Sequence, residues 1–337
     1  MAESFNRYVI EDRSYVAFIR REIHQKVVAA KFDSVDTGKI DIIVAELTTN
    51  LIKHAGSGEI LYRLTTEPEQ QPVFEIVCID KGPGIEDISV VMRDGMSTTK
   101  TLGHGLGAID RLSTQFQMYS MRGWGTIFYS RFGGKPRSDF RQKADVDIQC
   151  LMVPKPPEEV CGDGCAVVNS PSKVKIIFGD GLGHGKHAKE AIDAACRYFI
   201  TCGEDDPVDI LRGIHDNVRR TRGLVASVAV LDKATNEWKF CGIGNISTRL
   251  YTGIEYRNYM SYNGTIGLNI PKSMNSTPCK SERNQHLIMC SDGLTTRWDL
   301  NRYPSVFKHE QMILAAALYK DFSRGHDDAS ILIAKVI

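Results

Sequence analysis

The chain has 337 residues, 42% of them apolar and 25% charged, with 42 Lys plus Arg against 41 Asp plus Glu. Those values exclude a disordered chain and an electrostatically driven nucleic-acid binder, and the length suits two domains that each bury a core. The longest apolar run, MILAAALY, is far too short to span a bilayer, and the start shows no basic patch followed by an apolar core. Nine scattered cysteines set in apolar stretches read as reduced core thiols, so the expected setting is cytoplasmic, with neither membrane nor nucleic acid as partner.

Residues 14–30 and 36–55 carry helical apolar spacing, the second through Ile42, Ile43, Ala45, Leu47, Leu51 and Ile52. The same segment holds Glu46, Asn50, Lys53 and His54. Glu46 and Asn50 stand four apart and Asn50 and Lys53 three apart, which projects them from adjacent turns toward one spot. Taken alone, such a face reads as a solvated surface stripe, with a Glu and a Lys for solubility. EILYRL and VFEIVCID follow as strands. Asp80 ends the second strand, with Gly82 and Gly84 in the DKGPGIEDI turn behind it. An acid at that rim, beside a backbone able to bend close to a ligand, can accept a hydrogen bond from an exocyclic amine. LGHGLGAIDRL then places Gly103, Gly105 and Gly107 just before a helix, where free N–H groups favour an anion such as phosphate. FQMYSMRGWGTIFYSRF reads as a hairpin, and the mixture without strict alternation predicts an α/β layer sandwich.

From Gly133 to Gln149 the pattern turns to charges, Pro and Gly, which marks a boundary: a domain over 1–134, a linker over 135–149 and a second domain over 150–337. Beyond it, strand-like runs surround helical stretches at 186–202, 206–221 and 308–321. Acids recur at the ends of those runs: Asp163, Asp180, Asp292, and Asp327 with Asp328. Singly, Asp before Gly is a turn signal. Together they say more: carboxylates at several strand ends can converge on one rim, where they would repel unless cations neutralised them, and oxygen ligands suit Mg²⁺ or Mn²⁺. His184 and His187 lack the partner pair a zinc site needs, and His326 reads as a solvated turn histidine.

Glu46 and Asn50, DKGPGI, GHGLGAI and GWGT follow one another as the N-box and three glycine boxes of the GHKL (Bergerat-fold) ATPases do, over about residues 1–134. The DGMSTTKTLGHGLG stretch looks most like the anti-sigma-factor serine kinases of the RsbT and RsbW type, whose targets are STAS-domain proteins. The resemblance implies ATP with Mg²⁺ held by Asn50, Lys53 on a phosphate, adenine recognised by Asp80 with Thr126, and a lid over 94–107. A carboxylate one turn before that amide, Glu46, suits a general base in phosphoryl transfer.

GDGLGHG, SDGL and GHDDASILI, with VASVAVLD, FCGIGN and NGTIGL, are similar to the metal-dependent type 2C protein phosphatases of the SpoIIE/RsbX branch over about 145–337. That resemblance implies two Mn²⁺ or Mg²⁺ ions, bridged by Asp180 and bound by the Gly181 carbonyl, Asp292 and Asp327, with Asp163 serving the second ion or its water. No protein nucleophile is implied. A phosphate-gripping arginine is not obvious; Arg297, His184 and Lys186 are candidates. The resulting expectation is a two-domain α/β (α+β) chain, an N-terminal Bergerat α/β sandwich and a C-terminal α-β-β-α sandwich. It would dephosphorylate a STAS-type regulator or another anti-sigma pathway protein, with a homodimer allowed. A nucleotide-gated binding switch, and a phosphatase whose first domain only senses ATP, stay open.

Overall fold

The computed structural model describes residues 1–66, 71–88, 105–134, 145–253 and 255–337. The chain forms two compact units, one of Phe5–Lys143 with Tyr303–Ala317, the other of Met1–Ser4, Ala144–Arg302 and Leu318–Ile337.

In the first unit the strands β1 (Asn6–Ile10), β2 (Gly58–Thr65), β3 (Val73–Asp80), β4 (Gln115–Met121) and β5 (Gly125–Phe132) form an antiparallel sheet in the order β1-β2-β3-β5-β4. Helices α1 (Ser14–Ala29), α2 (Ser34–Asn50) and α3 (Gly105–Leu112) pack on one of its faces. Period-2 alternation chooses that face: Ile60 and Tyr62 of β2 and Phe74, Ile76 and Cys78 of β3 join Ile19 and Ile23 of α1 and Ile40, Ile43 and Leu47 of α2 in one core. Asp33 caps α2, accepting the Asp36 N–H at 2.7 Å. The helix does not stay α-helical to residue 55: Leu51–Ala55 is a π turn, with the Gly56 N–H on the Leu51 carbonyl at 3.0 Å.

Residues 303–317, expected in the second domain, group with this first unit. Its β4 side holds them: the Tyr119 hydroxyl donates to the Pro304 carbonyl at 3.2 Å, and the Gln117 amide oxygen accepts the Glu310 N–H at 2.9 Å. The rings of Tyr119 and Trp124 meet His309 and Tyr303 at 5.4 and 5.9 Å. The expected linker also ends earlier, because Val146–Val153 is a strand, β6; residues 135–144 lie outside the described residues.

The second unit contains two five-stranded antiparallel sheets. One runs β13 (Thr277–Lys280), β10 (Glu237–Ile243), β9 (Leu224–Asp232), β8 (Lys173–Gly181), β7 (Asp163–Asn169). The other runs β12 (Tyr256–Tyr259), β11 (Ser247–Tyr251), β14 (His286–Cys290), β15 (Ala329–Val336), β6. Alternation again sorts the side chains: Val174, Ile176 and Phe178 of β8 meet Leu287, Met289 and Leu332 of the other sheet in the inter-sheet core. Ile177 faces the opposite way, onto Ile192 and Phe199 of α4 (Lys186–Thr201) and Leu211 of α5 (Pro207–Asn217). The last helix, α6 (Gln311–Phe322), falls between β14 and β15 in the chain. All nine cysteines are free and eight are buried. Among the described residues no helix is long and apolar enough to cross a membrane.

At the start of β14, His286 is 3% exposed, and burial, reinforced by Lys335, depresses its pKa from 6.5 to about 4. The folded state therefore keeps the imidazole neutral, while the unfolded chain takes up a proton below pH 6.5. This contribution to stability is full above pH 6.5 and is lost as pH falls toward 4, by something of the order of 3 kcal/mol. Denaturant titrations of His286→Gln from pH 7 to 4.5 should show a shallower acid loss than the parent; identical pH slopes would contradict this.

Candidate functional site

Two groups of polar side chains stand out, one in each unit. In the first unit, Asp80 ends β3 and is 6% exposed, and its Oδ1 accepts the N–H groups of Gly82 at 2.8 Å and Thr126 at 3.1 Å. The Thr126 hydroxyl meets that of Ser120 at 2.9 Å. The turn glycines are required by close approach. A Cβ on Gly82 would lie 2.8 Å from the Ala55 Cβ, and one on Gly84, at φ +75°, would lie 2.0 Å from the Met121 carbonyl.

Glu46 and Asn50 share the last turns of α2, half-buried, and Gly105 opens α3 directly against them. A Cβ there would sit 2.4 Å from the Glu46 Oε2 and 3.9 Å from the Asn50 Nδ2. Gly107 follows within α3, whereas Gly103 and most of the expected lid, residues 94–104, lie outside the described residues. Lys53 is exposed within the π turn. The wider winding rotates it off the line that three α-helical steps from Asn50 would have given.

Sequence reasoning missed Arg20 of α1. Its guanidinium donates to the Ala45 carbonyl and Thr49 hydroxyl, both at 2.7 Å, and to the Thr48 hydroxyl at 2.9 Å. Burial lowers its pKa while the charge of Glu46 opposes that shift. No local signal distinguishes this arginine within IRREIH.

In the second unit the acids stand at neighbouring strand ends. Asp163 opens β7 and Asp180 lies near the end of β8, directly opposite in register. Asp292 follows β14 and Asp327 precedes β15, and those two strands pair. Glycines permit the convergence. A Cβ on Gly293 would lie 1.8 Å from the Asp328 carbonyl, and one on Gly181 would lie 2.2 Å from the Ala188 carbonyl at the head of α4. Gly181 also donates its N–H to Gly162 at 3.0 Å.

Asp180, Asp292 and Asp327 line one cavity of about 470 Å³ together with Lys155, His184, Asn245 and Asn263. The adjacent acids Asp327 and Asp328 separate by role. Asp328 turns back to accept the Lys155 and Gly162 N–H groups, each at 2.7 Å, leaving Asp327 on the cavity wall. Asn245, overlooked in the sequence although it sits in GIGN, donates to the Asp292 Oδ2 at 2.8 Å. Arg297 and Lys186 are not among the cavity-lining residues, and the Nδ1 of His184 meets Glu158 at 2.7 Å.

Burial, then the charges of Asp292, Asp327 and Asp328, pushes Asp180 up to about 8. Asp163 is 2% exposed, neither of its oxygens makes a hydrogen bond, and burial with the facing Asp180 drives its pKa well above the carboxylate range. Orphaned, crowded carboxylates of this kind fit a hard divalent cation in donor chemistry. Among the described residues, however, no three His, Cys, Asp or Glu side chains stand close enough to enclose an ion, so closing the set needs side-chain movement.

The sequence pattern described as a histidine kinase-like ATPase domain matches residues 11–127. The serine/threonine-protein kinase RsbT of Bacillus subtilis (strain 168) is 38% identical over 95 residues, which are 28% of this chain and 71% of RsbT. A chain solved in work on the bacterial stressosome, as a modular system adapted to control secondary messenger signaling, is 21% identical with a TM-score of 0.54. The match covers 57% of this chain and 100% of that one. RsbX, crystallised with magnesium, is 18% identical with a TM-score of 0.51, over 57% of this chain and 96% of its own. The latter two likenesses establish a shared fold.

Proposed function

The chain belongs to the histidine kinase-like ATPase family through its first unit, and on that premise we propose that it is a metal-dependent phosphoserine/phosphothreonine protein phosphatase carrying an ATP-binding, kinase-like domain. Its substrate is a phosphorylated STAS-type regulator of a bacterial partner-switching pathway, in a cytoplasmic setting. The observation that carries the phosphatase reading is the meeting of Asp180, Asp292 and Asp327 in one cavity, with Asp163 buried and unpaired across from Asp180.

Two Mn²⁺ or Mg²⁺ ions, held by Asp180, the Gly181 carbonyl, Asp292, Asp327 and Asp163, would supply Lewis acidity toward the phosphoryl oxygens and lower the pKa of water. The chain's own side chains bring the acids to one rim, and Asn245 orients Asp292. In the first unit, Asp80 and Thr126 would receive adenine, and the backbone at Gly82, Gly84, Gly103, Gly105 and Gly107 would approach the nucleotide. Asn50 would hold its Mg²⁺, Lys53 would reach a phosphate, and Glu46 would take the proton from an attacking hydroxyl.

The test is phosphate release from a phosphorylated STAS-domain protein, which should require Mn²⁺ or Mg²⁺ and stop on chelation. Release that persists in EDTA, or none with either ion, would contradict the reading. Asn245→Ala removes the amide donor to the Asp292 carboxylate and should raise the Mn²⁺ concentration giving half-maximal release roughly 10-fold or more. An unchanged midpoint would show that Asn245 does not serve Asp292.

A further inference from the structure

The acidic cavity contains one strong cation that neither the fold nor the ligand set uses. Of its lining residues Lys155 is the sole lysine or arginine, and among the described residues its half-buried side chain forms no ion pair or hydrogen bond. Its backbone, in contrast, is fixed from both sides. The N–H donates to the Asp328 Oδ1 at 2.7 Å and the carbonyl accepts the Glu158 N–H at 2.7 Å. Glu158 in turn meets the Nδ1 of His184 at 2.7 Å. The result is a rigid anchor carrying a flexible four-carbon stem and a free ammonium, on a wall shared with three carboxylates.

We propose that Lys155 binds the phosphoryl oxygens of the substrate. This rests on the phosphatase reading and names the group that grips its anion. A phosphate monoester entering among Asp180, Asp292 and Asp327 meets like charge, and ions that neutralise those acids are already committed to them. A cation with no carboxylate of its own is what then adds net attraction for the anion, and an ammonium does so as a point charge with three donors. Of the alternatives, His184 is engaged by Glu158, whose charge opposes an anion, Arg297 and Lys186 lie outside the lining, and Arg222, whose Nη1 a Cβ on the lining Gly183 would meet at 3.1 Å, is exposed and does not itself line the cavity.

The experiment titrates inorganic phosphate into the full chain in Mg²⁺ by calorimetry, for the parent, Lys155→Met and Lys155→Arg. The methionine variant should bind phosphate at least about 10-fold more weakly, the arginine variant within roughly threefold of the parent, since a hydrogen bond to a charged group is worth that much. Melting temperature should be unchanged, because the backbone bond to Asp328 survives the substitution. With p-nitrophenyl phosphate as substrate, KM should rise by more than kcat falls. Equal phosphate affinity in parent and methionine variant, or no phosphate binding by the parent, overturns the proposal. So does a methionine variant that binds Mg²⁺ more tightly at unchanged phosphate affinity, the signature of a lysine that only balances the acids. Phosphate binding that depends on Lys155 without any hydrolysis of p-nitrophenyl phosphate in Mn²⁺ would support the anion site and overturn the phosphatase reading alone.

Discussion

Asp180→Asn should abolish divalent-dependent phosphate release, by roughly 10³-fold or more, and at the same time make the metal-free chain more stable. Both effects come from one side chain. Its carboxylate is crowded by Asp292, Asp327 and Asp328, and burial with their charge raises its pKa from 3.8 to about 8. The folded state thus favours the protonated form, whereas the unfolded chain ionises freely above pH 4. Stability from this group is full below pH 3.8 and declines as pH rises through 8, a few kcal/mol across that window. Asparagine is neutral throughout, so in EDTA at pH 8 the variant should melt several degrees above the parent, and the gap should close toward pH 4. A variant that melts lower at pH 8, or that still releases phosphate, would contradict the role given to Asp180.

Glu46→Gln should eliminate phosphoryl transfer from ATP to a STAS-domain protein, about 10²-fold or more, while leaving ATP affinity within roughly threefold. The carboxylate stands against the Gly105 backbone where α3 begins, a place reserved by the absence of a Cβ, and one turn from Asn50. Glutamine preserves that shape and leaves in place the partners of the nearby Arg20, Ala45, Thr48 and Thr49, while losing the negative charge near Arg20 and with it the ability to accept a proton. The assay uses labelled ATP in the Asp180→Asn background, so that product is not hydrolysed. Undiminished transfer in Glu46→Gln would remove the general-base role. No transfer by the Glu46 parent, with ATP still bound, would leave the first unit as an ATP sensor.

The strands that carry the acids were legible because β8 and β14 are buried on both faces, β8 ending at Asp180-Gly181 and β14 stopping just before Asp292-Gly293, a hydrophobic run followed by a turn. The Glu46–Asn50 spacing was legible for the same local reason, since four residues make one helical turn. What remained hidden depends on contacts remote in sequence. The short strands β1, β12 and β13 take their conformation from the longer strands they pair with, and four or five residues carry little periodic signal. The grouping of 303–317 with the first unit rests on Tyr119 and Trp124, nearly two hundred positions away. The division of labour between Asp327 and Asp328 is set by two backbone N–H groups more than 160 positions away, at Lys155 and Gly162. Lys155 itself sits in MVPKPPEEV, where nothing marks it apart from a surface lysine until Asp328 fixes its backbone at the cavity edge.

The central claim is that these distant carboxylates act together on divalent ions. A calorimetric titration of Mn²⁺ into the nucleotide-free chain, with Asp180→Asn alongside, tests it most directly. Saturable binding of two ions by the parent, lost or much weakened in the variant, is the expected result; no saturable heat, or the same isotherm for both chains, would contradict it.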